Sequence, residues 1–326
     1  EYVLATGLIC FRDWFEKKVR EYYASDFRRD FFTAPELDKA FGYALAESLC
    51  HLVRDLEKPL FLELGGGSGA LAYDILSYCR QREPELFERL SYYIYDFSPA
   101  LVSLQRNRLK DFEGKVFWCE ELFPMEGVIF SNEFFDCLPV HVVREGKELY
   151  VKDGSEEWAE ISEPRIWHVL RRLGYEDLKQ VVEVCLDCID FLKKVSENLL
   201  KGYHLVIDYG YTSKELHRFP EGTVVAYRGH KVYSKALELS EPADITAHVN
   251  FSLLEEYGRD FGLEKVFLMS LRDFLLSSPA FMEELERLSF SEKPEDIERL
   301  SRLKTMLISM GERFKVLLQR TLSSSS

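Results

Sequence analysis

Short apolar runs alternate with amphipathic stretches along most of this chain. The apolar runs predict strands at 59–64, 92–96, 116–118, 127–131, 203–208, 264–269 and 314–319. Helical periodicity predicts helices within 11–54 and at 70–81, 99–109, 176–200 and 251–261, with two more before the last strand. Strands that alternate with helices pair mainly in parallel and are covered on both faces. The pattern therefore predicts an α/β fold with a doubly wound, mostly parallel sheet.

Two regions depart from this alternation. Residues 140–144 and 149–152 flank a Glu-Gly-Lys turn and predict a hairpin, and residues 211–243 lack a clear period and suggest an inserted loop or hairpin. We expect the following division: an N-terminal helical segment at 1–57 that packs on the core, a core domain at 58–322 with insertions near 140–175 and 211–250, and a tail of serines at 323–326.

A glycine-rich turn follows the first predicted strand of the core and opens a predicted helix. Residues 63–69 read Glu-Leu-Gly-Gly-Gly-Ser-Gly, and such glycines let the backbone turn tightly beside amides at a helix N-terminus. Gly65, Gly67 and Ala70 fit the dinucleotide pattern G-x-G-x-x-G/A. Glu63 and Gly69 complete instead the E-x-G-x-G-x-G pattern of S-adenosylmethionine (SAM) enzymes. This favours SAM over a nicotinamide cofactor, and a turn that binds nothing is the third alternative.

Acidic residues follow the next two predicted strands. Asp96 lies where a carboxylate can accept hydrogen bonds from ribose hydroxyls, and a helix cap ahead of Pro99 is the alternative. It comes 31 residues after Gly65, farther than the about 20 expected in dinucleotide enzymes, which again favours SAM. Glu120, followed by Glu121, is a candidate for contact with adenine, and a solvated acidic turn explains the pair equally well.

A polar segment follows the fourth predicted strand of the core, at the sheet edge that holds ligands in open α/β folds. It contains Asn132, Glu133 and Asp136, which we predict to be catalytic. Methyl transfer needs an aligned nucleophile, and carboxylates can hold a guanidinium by charge-assisted hydrogen bonds. Glu133 and Asp136 would share one side of the turn if it is helical. Alternatively, Asn132 and Asp136 satisfy loop backbone groups.

A second polar cluster at 244–250 contains His248, a candidate catalytic base or hydrogen-bond donor. Asn250 or Thr246 could instead cap the following helix. His230 is a weaker candidate of the same kind.

Net charge narrows the range of partners. The 326-residue chain carries −14 at pH 7, so nucleic acid, which requires clustered Lys and Arg, is not expected. An acidic surface suits a basic protein substrate. No stretch approaches the about 20 apolar residues of a membrane helix, so no membrane insertion is expected.

The seven cysteines are mostly scattered singly, which predicts reduced thiols in a cytoplasmic protein. Cys185 and Cys188 form a Cys-x-x-Cys within a helical pattern, without a second pair or a nearby His. Buried helix packing is therefore preferred to metal binding, and no metal site is predicted.

Taken together, the motifs resemble the MidA-like methyltransferase family, which includes the mitochondrial complex I assembly methyltransferase. The resemblance spans nearly the whole chain. The matching segments are Asp30–Glu36 (D-F-x-T-A-P-E), Glu63–Gly69, Asn132–His141 (N-E-x-x-D-x-x-P-V-H), Ile207–Gly210 (I-D-Y-G), Gly222–His230 (G-T-x-x-x-Y-x-x-H), Asp244–Phe251 and Met310–Leu317. Three departures stand out: Asp96 replaces the common Glu, Asn250 replaces Asp, and only Glu21-Tyr22-Tyr23 remains of an N-terminal Gly-Tyr-Tyr segment.

The resemblance implies a class I SAM-binding fold and methylation of an arginine in a partner protein, for example a respiratory complex I subunit. It assigns the glycine loop and Asp96 to the cofactor and the segment after the fourth strand to the active edge. It also makes Thr33 and Glu36 candidates for substrate binding. The expected compartment is the cytoplasm, or the mitochondrial matrix in a eukaryote.

Three other functions fit the sequence. One is an assembly factor that binds SAM or a partner without turnover, and another is an NAD-dependent oxidoreductase. A methyltransferase for small molecules is the third. The oligomeric state is open, and a homodimer is one option.

Overall fold

The structure, a computed structural model, describes residues 7–24, 33–228, 231–233 and 242–322. The strands are β1 (Ile9–Cys10), β2 (Leu60–Leu64), β3 (Ser91–Tyr95), β4 (Val116–Cys119), β5 (Met125–Asn132), β6 (His141–Arg144), β7 (Lys147–Lys152), β8 (Ser155–Ala159), β9 (Val182–Val184), β10 (Leu199–Tyr211), β11 (Val225–Arg228), β12 (Lys231–Tyr233), β13 (Asp244–Thr246), β14 (Val249–Asn250), β15 (Leu263–Ser270) and β16 (Phe314–Thr321). The α-helices are α1 (Phe11–Ala24), α2 (Ala34–Leu37), α3 (Lys39–Leu52), α4 (Ala70–Arg82), α5 (Pro84–Arg89), α6 (Pro99–Arg108), α7 (Pro164–Leu173), α8 (Leu186–Asn198), α9 (Phe251–Asp260), α10 (Leu271–Leu276), α11 (Pro279–Ser289) and α12 (Pro294–Ile308). The serine tail at 323–326 lies outside the described residues.

The chain forms two compact units, each built from segments that are separated in sequence. The parallel-sheet unit comprises Phe31–Asn132, Lys193–Tyr209 and Gly258–Ser326, and the antiparallel-sheet unit comprises Glu1–Asp30, Glu133–Leu192 and Gly210–Tyr257. The expected N-terminal segment 1–57 contributes α1 to the antiparallel-sheet unit and α2 and α3 to the parallel-sheet unit. The division at residue 57 into a helical segment and a core domain stays a prediction.

Seven strands of an eight-stranded sheet lie side by side in the order β15-β16-β10-β5-β2-β3-β4, and the eighth strand, β14, pairs with the end of β10 at Gly210 and Tyr211. The last five in this order are parallel, and β16 runs antiparallel to both of its neighbours. The chain moves outward from β2 through β3 to β4 and then continues on the other side of β2 with β5. The carboxyl ends of β2 and β5 therefore flank a switch point, where open α/β sheets bind ligands. The predicted doubly wound, mostly parallel sheet is confirmed.

The interior strands of this sheet are apolar because helices cover them. Phe61 of β2 and Val128 of β5 are fully buried in one continuous core. The helix α3 is fixed at its start by Asp38, whose side chain accepts a hydrogen bond from the Ala40 amide at 2.9 Å. Arg299 donates two further hydrogen bonds to the same carboxylate, at 2.9 and 3.0 Å, and so ties α12 to the start of α3.

The antiparallel-sheet unit contains two small sheets. One has the order β1-β7-β6-β9 with β8 paired to β7, and the other has the order β12-β11-β13. The predicted hairpin at 140–152 is present as β6 and β7. Glu148 on β7 is fully buried, but the amide and hydroxyl of Ser162 donate to it and His141 Nδ1 lies 2.7 Å away. These contacts offset the free-energy cost of burying a carboxylate.

The predicted helix over 176–200 is wrong in its first half. Strand β9 occupies part of this stretch, and α8 begins only at Leu186. The side chain of Glu183 on β9 is held by the amide and hydroxyl of Thr223, 40 residues later in the chain. A long-range contact of this kind outweighs local helical periodicity. The sequence also missed β8 and α7, and three helices rather than two precede β16.

The expectation of reduced thiols throughout is also wrong. Cys185 and Cys188 form a disulfide, in which Cys185 precedes α8 and Cys188 lies in its first turn. The pair therefore spans the start of a helix rather than its interior. The other cysteines are free thiols, namely Cys10, Cys50, Cys79, Cys119 and Cys137.

Among the described residues, no helix has the length and apolar character needed to cross a membrane.

The close contact between β2 and β5 predicts that position 127 requires glycine. Gly127 has a φ of 144°, and a Cβ there would lie 1.9 Å from the carbonyl oxygen of Leu60. We expect Gly127→Ala to lower the free energy of unfolding by about 3 kcal/mol, because the strands must separate or strain. Urea denaturation checks this value.

Gly114→Ala is the matched control, because Gly114 also has a positive φ but no atom within 4 Å of a built Cβ. Its substitution should lower stability by only about 1–2 kcal/mol. Equal losses in the two variants would contradict the proposed clash.

Candidate active site

The turn after β2 has the conformation that its glycines predict. Gly65, Gly67 and Gly69 have φ values of 74°, 53° and 90°, a region that side chains disfavour. Gly69 is the N-terminal capping residue of α4. A Cβ on Gly66 would lie 2.7 Å from Ile94 Cγ2, so this position also requires glycine. The turn thus presents backbone, not side chains, at the start of a helix.

Asp96 and Gln105 hold this turn in place. The Gly66 amide donates to Asp96 Oδ2 at 3.2 Å, and Gln105 Nε2 donates both to the same oxygen and to the Gly67 carbonyl, at 2.9 Å each. Trp118 Nε1 completes the network by donating to Gln105 Oε1 at 2.9 Å. Gln105 is fully buried on α6 and was not among the predicted site residues. A single Gln in an ordinary helix gives no sign of this role.

The alternative interpretation of Asp96 as a helix cap is wrong. Ser98 caps α6, since its side chain accepts a hydrogen bond from the Leu101 amide, and Asp96 Oδ1 accepts one from the Ser98 amide. Asp96 lies at the end of β3 beside the glycine turn, which fits the predicted ribose contact. Glu120 is exposed directly after β4, and its contact with adenine stays a prediction.

Glu63 is buried in β2, with only 2% of its surface exposed. The Tyr92 hydroxyl donates a hydrogen bond to its Oε1 at 2.6 Å. Burial raises the pKa of Glu63 to about 8, and the nearby charge of Asp96 adds to the increase. The carboxyl is therefore mainly protonated at neutral pH. Its predicted contact with the cofactor is not tested by these neighbours.

Glu36 and Thr33, the candidates for substrate binding, lie at the start of α2. Glu36 accepts a hydrogen bond from the hydroxyl of Ser68 in the glycine turn. Arg108 donates to the same hydroxyl at 3.0 Å and pairs with Glu36 at 3.7 Å. Thr33 occupies the capping position of α2 without a hydrogen bond from its side chain to the helix. The structure thus links Glu36 to the glycine turn, and substrate binding by either residue stays a prediction.

The end of β5 carries polar atoms that the described part of the chain does not satisfy. Ser131 Oγ and Asn132 Oδ1 are buried without a hydrogen-bond partner among the described residues. Ser131 is paired in register with Leu64, the last residue before the glycine turn. Buried polar groups of native proteins are nearly always hydrogen-bonded, so these atoms fit a site that receives a polar ligand.

In the antiparallel-sheet unit, Glu133 and Asp136 are near enough to Tyr227 to interact with it electrostatically. Burial raises the pKa of Tyr227, and the charges of Asp136 and Glu133 raise it further, so all three groups interact electrostatically. Asp136 is 4% exposed. The condition for Glu133 and Asp136 to share one helical side is not met, because Glu133 has a left-handed φ of 58° and the short 3₁₀ turn begins at Phe135. The two carboxylates influence Tyr227 through the tertiary fold, and no local sequence pattern predicts a role for this tyrosine.

His248 has other neighbours. Its ring packs edge-on against Phe219, with centroids 5.3 Å apart, and its amide donates to Thr223 Oγ1. A catalytic role for His248 stays a prediction. Asn250 caps α9, because its Oδ1 accepts a hydrogen bond from the Leu253 amide at 3.1 Å. His230 lies outside the described residues.

The residues of the parallel-sheet unit fit a cofactor with an amino-acid tail and a ribose. The turn has glycine where a side chain would collide, Asp96 lies beside it, and the orphaned oxygens of Ser131 and Asn132 lie at the end of the neighbouring strand β5. Helix N-termini and such turns favour negative charge on a ligand, including a carboxylate.

A protein-family model matches residues 44–268 of the chain, which is more than half of its length. The family is described as "Putative S-adenosyl-L-methionine-dependent methyltransferase".

Curated relatives match over most of the chain. A zebrafish protein named protein arginine methyltransferase NDUFAF7, mitochondrial, is 24% identical over 327 residues, covering 88% of this chain and 75% of its own. The Drosophila melanogaster homologue is 26% identical and covers 88% and 74%. Among solved structures, a protein of Burkholderia thailandensis bound to S-adenosyl-homocysteine superposes with a TM-score of 0.83 at 26% identity, covering 98% of this chain and 89% of that one.

The environment of Glu63 predicts a pH-dependent stability. Because its folded pKa of about 8 exceeds the ordinary value of 4.5, the folded state holds a proton that the unfolded state loses between these values. Its contribution to stability is full below about pH 4.5 and is lost as pH rises through 8. We expect Glu63→Gln to remove this loss, on the order of a few kcal/mol between pH 5 and 9.

Urea denaturation at several pH values, without cofactor, measures the effect. Glu57→Gln removes an exposed carboxylate from the same unit and is the matched control, which should keep the wild-type slope. A Glu63→Gln profile parallel to that of the wild type would contradict the assignment.

Proposed function

Because the chain belongs to the MidA-like family of S-adenosyl-L-methionine-dependent methyltransferases, we propose that it methylates an arginine of a protein substrate. The family makes SAM the cofactor and methyl transfer the reaction. The glycine pattern alone fits either a dinucleotide or SAM, and membership of this family favours SAM. The proposal concerns the acceptor of the methyl group.

The parallel-sheet unit supplies the cofactor side of the reaction. SAM, when bound, carries an electrophilic methyl group on its sulfonium. The glycine turn would hold the amino-acid tail of SAM by backbone contacts, and Asp96 would accept hydrogen bonds from ribose hydroxyls. Gln105 fixes Asp96 and the turn relative to each other, so it acts as a positioning residue.

The observation that supports an arginine acceptor is the group formed by Glu133, Asp136 and Tyr227. A guanidinium presents a planar set of N–H donors, and carboxylates bind it by paired charge-assisted hydrogen bonds. In the proposed reaction the guanidinium nitrogen forms a bond to the methyl carbon as the carbon–sulfur bond breaks, and the nitrogen then loses a proton. Asp136 or Glu133 orients the guanidinium and accepts this proton.

The relatives support the same acceptor, since the zebrafish and Drosophila proteins are named protein arginine methyltransferases. Their names also state a mitochondrial location. For this chain we propose the cytoplasm, or the mitochondrial matrix in a eukaryote. A protein partner with an accessible arginine follows from the proposed acceptor and suits the net charge of −14.

Replacement of Asp136 tests the acceptor. Purified enzyme and SAM are added to lysate from cells that lack the gene, and mass spectrometry maps new methyl groups. We expect methylarginine on one or a few proteins, and Asp136→Asn should reduce its formation by about 10²–10⁴-fold because the amide neither holds the guanidinium nor accepts its proton. Asp177→Asn, at an exposed site of the same unit, should keep wild-type activity.

Methyl groups confined to other residues or to small molecules would overturn the arginine proposal. Complementation of the deletion distinguishes an enzyme from an assembly factor: rescue of growth by Glu133→Gln, with methylation abolished, would show that turnover is dispensable.

Replacement of Gln105 tests its positioning role. We expect Gln105→Leu to weaken SAM binding by about 10²-fold, because the turn and Asp96 lose their shared donor. Calorimetric titration measures the dissociation constant, and kinetics should show a raised KM for SAM with little change in kcat. Asn107→Leu, an exposed position on the same helix, is the control. Unchanged SAM affinity in a folded Gln105→Leu protein would contradict this role.

A further inference from the structure

The Cys-x-x-Cys pair has no part in the proposed methyl transfer, yet it contacts the segment that carries the predicted catalytic residues. Cys185 Sγ lies 3.5 Å from the Pro139 carbonyl oxygen, and Cys188 Sγ lies 3.8 Å from that of Phe135. These two carbonyls stand on either side of Asp136 in the chain. The disulfide therefore contacts the backbone of the segment 133–139 on both sides of Asp136.

The helix that follows the disulfide strengthens this contact. Phe191, one turn beyond Cys188, packs against Phe134 and Phe135 with ring centroids 4.9 and 5.9 Å apart. The contact with the segment 133–139 thus comes from Cys185, which precedes the 13-residue α8, and from Cys188 and Phe191 within this helix. A displacement at the start of α8 must be accommodated by that segment, because packed interiors leave little free space.

The position of Cys185 and Cys188 at the start of α8 favours thiol–disulfide exchange. The first amides of a helix lack intrahelical acceptors and carry partial positive charge, which stabilises a thiolate. The Cys188 amide lies 3.1 Å from Cys185 Sγ and points its N–H toward this sulfur. Cysteines in Cys-x-x-Cys motifs at helix N-termini have lowered thiol pKa values for this reason. In reducing compartments, disulfides are usually transient and serve catalysis or redox sensing.

We infer that Cys185 and Cys188 form a thiol–disulfide exchange site that accepts electrons from a dithiol and sets the conformation of the segment 133–139. The inference rests on the proposed function only for the catalytic meaning of that segment. Both cysteines are buried, at 9% and 4% exposure, and Cys185 is the more exposed residue.

The exchange balances in two steps. A thiolate of the dithiol attacks Cys185 Sγ, which forms a mixed disulfide, breaks the Cys185–Cys188 bond and releases Cys188 as a thiolate in the first turn of α8. The second thiol of the reductant then attacks its own sulfur in the mixed disulfide and releases Cys185. The protein gains two electrons and two protons, and the dithiol becomes a cyclic disulfide. The protein sulfurs separate from a bond of about 2 Å to a non-bonded contact of about 3.5–4 Å.

Thiol labelling tests the exchange itself. The full-length protein is purified without reductant, equilibrated with mixtures of oxidised and reduced dithiothreitol, and alkylated for peptide mass spectrometry. We expect Cys185 and Cys188 to be protected together at first and to become labelled in one two-electron transition. The remaining cysteines, which are free thiols, are labelled after denaturation at every redox ratio and serve as internal controls. Labelling of Cys185 and Cys188 without reductant would overturn the inference.

Hydrogen–deuterium exchange tests the coupling without any substrate. We expect peptides covering 133–139 to exchange several-fold faster or slower after reduction, while peptides from β3 and β4 stay unchanged. The double variant C185S/C188S should show no response to dithiothreitol, and Cys119→Ser should keep the wild-type response. An unchanged segment 133–139 in fully reduced wild-type protein would overturn the coupling.

The labelling, hydrogen-exchange and methylation experiments distinguish failure of the proposed methyl acceptor from failure of the inferred exchange site. If no arginine methylation is found but labelling and hydrogen exchange respond to dithiothreitol, the exchange site stands and the acceptor was misassigned. If arginine methylation occurs but hydrogen exchange of the segment 133–139 does not respond to dithiothreitol, the proposed function stands and the coupling is wrong.

Discussion

The parallel-sheet unit depends on one constraint, the backbone turn between β2 and α4. Three glycines there have left-handed φ values, and a shared acceptor at the end of β3 holds the turn against the sheet. Because the strand order reverses between β2 and β5, the turn opens beside the carboxyl end of β5. Asp96 gains its position beside the turn from this arrangement, and a side chain at Gly66 would collide with Ile94 and Gln105.

The sequence could predict this part of the molecule because its determinants are local. A buried parallel strand needs a continuous apolar run, and a tight turn into a helix needs glycine, so both are visible in the residues themselves. The fold class and the proximity of Asp96 to the glycine turn follow from these patterns and agree with the structure. The roles of the individual residues in binding and catalysis remain predictions, because a ligand contact is not encoded in a local pattern.

The rest depends on contacts between distant segments. Gln105 is an ordinary helical residue in sequence, and only the fold reveals that it connects Gly67, Asp96 and Trp118. The same is true of β9, where Thr223 satisfies Glu183 and fixes a strand in a stretch with helical periodicity. Tyr227 belongs to a motif, but its relation to the two carboxylates arises from the tertiary structure. Long-range hydrogen bonds of this kind have no period along the chain.

The acidic residues of the two units have different proposed roles, and the difference follows from their burial and hydrogen-bond partners. In the parallel-sheet unit, Glu63 is kept neutral by burial, and Asp96 accepts hydrogen bonds from the turn it supports. Burial and these hydrogen bonds fix the two carboxyls beside the glycine turn, where Asp96 is proposed to contact the ribose. In the antiparallel-sheet unit, burial raises the pKa of Tyr227, and the negative charges of Asp136 and Glu133 raise it further. A site with negative potential favours a cation, and a guanidinium is the side chain that matches carboxylates in both charge and planar geometry.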